Sequence, residues 1–185
     1  MKTKSGVLGI LFVFAVLWAS ESMAQGKTYS KELVKKEMSL TYFSSIEVTG
    51  LAQVYLNEGT ETQARLEVSG MPIEEVGVVV EKETLKISTP GDYSGESVKI
   101  YITYKKIGKL LVTDAAEIFS NGPIKTAKLE ISCLDAGNAV LELDVDLVEI
   151  RMKESADLTL TGYAKKQKIL SISKNGTFDN TGLRL

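Results

Sequence analysis

The chain has 185 residues, with 22 basic against 24 acidic side chains, a formal charge of −2, no histidine and one cysteine. That balance offers no basic stripe for nucleic acid. The missing imidazole excludes a Ser-His-Asp triad and a His-ligated metal, and one thiolate cannot build a zinc site.

Lys2 and Lys4 precede an almost wholly apolar run, 6–19, and a short polar stretch then leads to Ser22-Met23-Ala24. A basic start, a short apolar run and small residues at the cut make the pattern of a secretory signal. Residues 1–24 are therefore read as a signal peptide, with cleavage between Ala24 and Gln25. The run is shorter than the roughly 20 residues a membrane-crossing helix needs. No membrane span is expected after cleavage, and the predicted location is the periplasm, the cell envelope or the medium. No cysteine follows the run to take a lipid. Cleavage leaves 161 of the 185 residues, with a charge of −3 and no Trp, a length that suits one domain.

Residues 25–40 read as a lead-in. TYSKELVKKEMSL (28–40) has a hint of helical spacing and serves equally well as a polar approach to a first strand. From Phe43 the period is two: Ile46, Val48, Ala52, Val54 and Leu56 share one parity, and Glu47, Thr49, Gln53 and Tyr55 the other. Such alternation marks a half-buried strand. Further strands are predicted at Leu66 and Val68, VGVVVE (76–81), TLKIST (84–89) and SVKIYITY (97–104), with a turn at Pro90-Gly91-Asp92. The chain is all-β.

The second half has a longer rhythm. KLLV (109–112), KLEI (128–131), LVEI (147–150) and ILSI (169–172) each place two aliphatics one residue apart, and Leu110, Leu129, Val148 and Leu170 are spaced 19, 19 and 22 residues. Polar, small-residue corners follow: Asp114-Ala115-Ala116, Asp135-Ala136-Gly137, Glu154-Ser155-Ala156 and Asn175-Gly176-Thr177. A period near 20 predicts a solenoid, because one such unit cannot bury its apolar face alone. Residues 41–185 then form a single parallel β-helix-like domain with rungs of about 20 residues. Small corner residues fit the roughly 4.8 Å between paired strands. The echo of IEVTG (46–50) in LEVSG (66–70), also 20 apart, reads as two such corners. An antiparallel β-sandwich, which also has short regular strands, is the alternative.

FSSIEVTGLAQVYLNEG (43–59) resembles the opening of the head GIN domain, a family of bacterial exported proteins that carries the label of autotransporter adhesin. Phe43, Ile46, Val48, Gly50, Val54, Leu56 and Gly59 stand at its motif positions. The continuation 66–88 and the later rungs are also similar, so the resemblance covers about residues 40–185. It implies a right-handed β-helix-like fold, an envelope location and no established catalytic residues. The corners at Asp114, Asp135 and Glu154 depart from the glycine-rich corners common in the family.

If the rungs stack, Asp114, Asp135 and Glu154 lie one above another, with Asn175 in the next rung. Stacked carboxylates are a calcium pattern or an acid pair for glycoside cleavage. They are equally turn residues bonding to corner amides, which is the reading adopted, so neither a metal nor a cofactor is expected. Tyr55 and Tyr101 fall on the outward parity, with Tyr29, Tyr42 and Tyr163 as further surface candidates for contacts with a glycan or a protein. Cys133, in an apolar run, reads as a small buried hydrophobe. Lys165, Lys166 and Lys168 read as a solvated turn, and Asn175-Gly176-Thr177 as a turn rather than a glycan acceptor. The function expected is a non-catalytic envelope module that binds a protein or polysaccharide. The alternatives are a carbohydrate-active enzyme on a β-helix scaffold and an assembly protein that pairs through a terminal β edge.

Overall fold

The computed structural model describes residues 32–90 and 97–185. The signal segment with its cut between Ala24 and Gln25, Tyr29, and Gly91 and Asp92 of the predicted turn lie outside the described residues. Twelve strands join one curled, mixed sheet. In chain order they are β1 (Val34–Ser39), β2 (Ser45–Thr49), β3 (Gln53–Glu58), β4 (Gln63–Ser69), β5 (Gly77–Glu81) and β6 (Thr84–Ser88). Then follow β7 (Ser97–Tyr104), β8 (Lys109–Val112), β9 (Glu117–Cys133), β10 (Asn138–Met152), β11 (Asp157–Ser171) and β12 (Phe178–Arg184). A short 3-10 turn, Ile73–Glu75, precedes β5. The polar lead-in is a strand, not a helix: β1 pairs antiparallel with β4.

Parallel pairing carries most of the molecule. β2 lies between β6 and β8, and β3 between β7 and β9. From β8 onward each strand pairs in parallel with the next turn of chain, through β9, β10, β11 and β12. Period-two alternation then lines up the inward side chains. Leu85, Ile46, Leu110, Ile131, Ile150 and Ile169 form one column across the sheet. Ile100, Val54, Ile118, Ala139, Leu158 and Phe178 form another. Except for Ile169 and Phe178, at the β11–β12 end, both columns are fully buried. Each buried Val, Leu or Ile contributes about 1.5–3 kcal/mol of burial free energy, and no disulfide adds to it: Cys133 is a free, buried thiol.

Three expectations are corrected. The sheet is not a uniform parallel coil, because β1–β4–β7 and β5–β6 pair antiparallel. Nor is it an antiparallel sandwich, since the remaining pairs are parallel. The register also differs: Leu110 pairs with Ile131 rather than Leu129, and Val148 with Gln167 rather than Leu170. The first shift, of two residues, keeps every side chain on its own face; the second, of three, puts Ile169 rather than Leu170 on the parity of Ile150.

The echoing segments are not equivalent either. Gly50 closes β2 at a stacked corner, with φ +100 and its α-carbon facing the Thr89 carbonyl, where an added Cβ would lie 2.3 Å from the oxygen. Gly70 instead follows β4, an antiparallel strand. Only the first of the two glycines belongs to a coil corner.

Candidate functional site

Equal register in a sheet sets side chains of one parity beside each other at about 4.8 Å. Tyr55 on β3 is in register with Tyr101 on β7 and Phe119 on β9. The three rings therefore stack, Tyr55 on Tyr101 with centroids 5.1 Å apart and Tyr55 on Phe119 at 5.3 Å. Arg65, opposite Tyr101 on β4, holds its guanidinium carbon 4.2 Å from the ring centroid. Stacked pairs of this kind contribute about 0.5–1.5 kcal/mol each, and an exposed cation–π contact about 0.5–1.

The two tyrosines expected on the outward face do lie there, half-buried. Their orientation differs from a flat platform. Tyr55 is covered on both faces, by Tyr101 and Phe119, and Tyr101 by Tyr55 and Arg65. What the row offers a partner is ring edges and phenol hydroxyls.

Beside the row lies a hollow of about 480 Å³. Asn57, Gln63, Thr103 and Asn121 give it amide and hydroxyl walls, and Glu37, Arg65 and Tyr101 complete it. Asn121 stands there because the β3–β9 register, Tyr55↔Phe119 and Leu56↔Ser120, leads to it, and a bulge against β10 begins at the same point. Between β9 and β10 the register passes from Phe119↔Val140 to Pro123↔Glu142, so Ser120-Asn121-Gly122 faces a single residue of β10, Leu141. Extra residues of this kind bend the strand and re-aim its side chains, and Gly122 takes φ +103 at the bend. The Ser120 hydroxyl accepts from the Glu142 N–H (2.8 Å). Asn121 Nδ2 donates to Asn57 Oδ1 (3.0 Å).

Glu37 is the acid that lines the hollow, and two others on neighbouring strands, Glu67 and Glu117, are engaged. Glu67 contacts Lys35 at 3.1 Å and Arg65 at 3.7 Å. The Lys35 hydrogen bond is the main cause holding its carboxyl below the ordinary 4.5. Glu117 accepts from Gln53 Nε2 (2.6 Å).

The acidic corners do stack. The Asp114 carbonyl accepts from Ala136 N–H (2.8 Å), and the Asp135 carbonyl from Ser155 N–H (2.7 Å). All three residues occupy the left-handed region, at φ 57, 58 and 53. Asp114 Oδ2 accepts from the Gly50 N–H of the adjoining corner (3.2 Å). Among the described residues no group of three or more acidic, His or Cys side chains is placed to hold a metal. The last corner differs from the others: Ser173 Oγ accepts from the N–H groups of Asn175 and Gly176 and donates to the Glu154 carbonyl.

Other surface candidates are dispersed. Tyr42 and Tyr163 are exposed. Lys165, Lys166 and Lys168 lie within β11 rather than in a turn, and Lys168 pairs with Glu149 at 3.1 Å. Burial pushes the Cys133 thiol up to about 12. The sequence reading missed Arg65, Phe119 and the Asn57–Asn121 pair. Phe119 shares the outward parity of Glu117, but its partner Tyr55 stands 64 residues earlier and only the pairing joins them.

The stacked outward row and the polar hollow beside it thus lie together on one face of a curled β sheet. The sequence matches, over residues 42–185, the family described as "Putative auto-transporter adhesin, head GIN domain", and the chain belongs to that family. No curated protein matches it. Solved structures share the fold. A "putative adhesin" from Bacteroides fragilis superposes with a TM-score of 0.71 at 20% identity, covering 84% of this chain and 73% of its own. One from Parabacteroides merdae gives 0.62 at 19%, covering 82% and 74%. A "putative lipid binding protein" from Parabacteroides distasonis gives 0.64 at 14%, covering 84% and 76%. Among the described residues no helix is long and apolar enough to cross a membrane.

Proposed function

We propose that this head GIN protein is an exported, non-catalytic module of the cell envelope that binds a protein or polysaccharide partner on its outward face. The observation that carries this is the row Arg65, Tyr101, Tyr55 and Phe119, held in register by four paired strands beside a polar hollow. A face fixed in this way loses little conformational freedom on binding. The names of the family and of its structural neighbours support a binding role in general. The signal-like segment 1–24 supports export. The run of parallel pairs from β8 to β12, at steps of 19–21 residues, supports a solenoid description of the C-terminal half. The test is a glycan and envelope-protein binding screen on residues 25–185, repeated with Tyr101→Ala. A bound partner whose retention falls with the substitution is expected. Silence across both arrays, or binding indifferent to the outward row, would overturn the reading.

One observation favours self-association as a second role. β12 pairs with β11 only as far as Tyr163, and no strand among the described residues pairs with that edge beyond it. Ile169, Leu170 and Ile172 are exposed there. An open edge with apolar side chains recruits another strand. Sedimentation equilibrium should then show a dimer or larger species that Ile169→Lys dissociates, and a single-chain mass at every concentration refutes this.

A further inference from the structure

The geometry points to a neutral, hydroxyl-rich saccharide as the ligand of the hollow beside Tyr101, an inference that rests on the binding-module reading above. The first support is the Asn57–Asn121 pair. A primary amide carries two donor hydrogens and a carbonyl with two lone pairs. With Asn121 Nδ2 donating to Asn57 Oδ1, the pair is locked in orientation while the Asn57 amino group and the Asn121 carbonyl keep their capacity. The pair thus keeps both a donor and an acceptor for a ligand. A vicinal diol uses both, because each sugar hydroxyl gives and takes a hydrogen bond.

The second support is charge. Glu37 and Arg65 face each other in register across β1 and β4 and both line the hollow. Their formal charges cancel. An acidic sugar would meet Glu37, and a cationic group would meet Arg65, whose guanidinium already lies over Tyr101 and near Glu67. A neutral ligand meets neither penalty. The walls are also too polar for an acyl chain, since burying amides and hydroxyls against hydrocarbon without partners costs about 1–3 kcal/mol each.

The third support is that the amide pair is a product of the backbone. Asn121 meets Asn57 because the β3–β9 register that pairs Tyr55 with Phe119 and Leu56 with Ser120 carries on one step further. The hollow lies within the roughly 300–1,000 Å³ of small-ligand sites.

The test uses the protein purified after export, run in affinity gels containing a β-glucan, a mannan or polygalacturonate, alongside flotation with phosphatidylglycerol vesicles. Retardation by at least one neutral polysaccharide is expected. It should weaken at least tenfold in Asn121→Ala and in Asn57→Asp, with unchanged melting temperatures. Polygalacturonate should retard the protein less. No neutral retardation, equal retardation by polygalacturonate, insensitivity to both substitutions, or binding to vesicles instead would overturn the inference. If an envelope protein is captured through Tyr101 while every polysaccharide fails, the saccharide inference falls and the binding-module reading stands. If both screens are silent, both fall.

Discussion

Glu154 provides a sharp test of the stacked corners. It is an exposed, non-glycine residue at φ 53. An L-residue in the left-handed region gives up roughly 1–2 kcal/mol. Glycine avoids that strain but loses about 0.5–1 kcal/mol through its freer unfolded chain. Glu154→Gly should therefore stabilise the protein by about 0.5–1 kcal/mol, or roughly 2–3 °C in melting temperature for a domain of this size. Asp114→Gly should behave differently. Aspartate tolerates the left-handed region better, and Asp114 Oδ2 accepts the Gly50 N–H, a charged hydrogen bond worth about 1.5–3 kcal/mol. Its loss outweighs the relief, and the variant should be less stable by about 1 kcal/mol. Urea melts followed by circular dichroism measure both. A destabilised Glu154→Gly beside an unchanged Asp114→Gly would refute the corner reasoning.

Ile150 and Ile169 share a column, yet Ile150 is fully buried and Ile169 is 47% exposed. Ile150→Ala should cost about 2–5 kcal/mol and Ile169→Ala about 1 or less; equal losses in urea melts would mean that something covers that end. Glu149 sits between Lys128 (3.0 Å) and Lys168 (3.1 Å), whose hydrogen bonds hold its carboxyl below the ordinary 4.5. Because its folded pKa is depressed, its stabilisation is present above 4.5 and is lost as pH falls through the folded value. The urea midpoint gap between wild type and Glu149→Gln should be steady from neutral pH to about 4.5 and then close, and a gap that widens on acidification contradicts this. Cys133, buried and with its thiol pushed up to about 12, should ignore a thiol reagent in the native protein and react fully once unfolded; rapid native labelling would show the core to be open.

Parity was the legible part of this fold. Ile46, Val48, Val54 and Leu56 were placed inward from alternation alone, and all are buried. The corners at Asp114, Asp135 and Glu154 could be read because their chemistry recurs at nearly the step at which the chain stacks. Register was legible only to within two or three residues. Leu110 opposite Leu129 or Ile131 leaves the same faces buried, so the apolar pattern cannot choose. The antiparallel arm of β1 and β4 was hidden for a related reason, since period two does not encode strand direction. The site was half legible. Tyr55 and Tyr101 carried an outward signal, but the stack needs Phe119 and the amide pair needs Asn121, both brought in by a β3–β9 pairing 64 residues apart that no local pattern announces.

The order of strands in the sheet differs from their order along the chain, and this bears on how the molecule assembles. β2 and β3 come early in the sequence, yet both of their parallel neighbours are synthesised later. The Gln53–Glu117 contact spans 64 residues, whereas Lys168–Glu149 spans 19. Closing the longer loop costs about 1 kcal/mol more entropy. A chain delivered N-terminus first leaves one edge of β2 and one edge of β3 open until β8 and β9 arrive, while β10, β11 and β12 wind on one short step at a time. The nucleus is expected in the C-terminal turns, and non-local pairing slows the N-terminal part. The strand that carries Tyr55 is thus among the last to be secured, so a partner that presses on the outward row also holds shut the seam that closes latest.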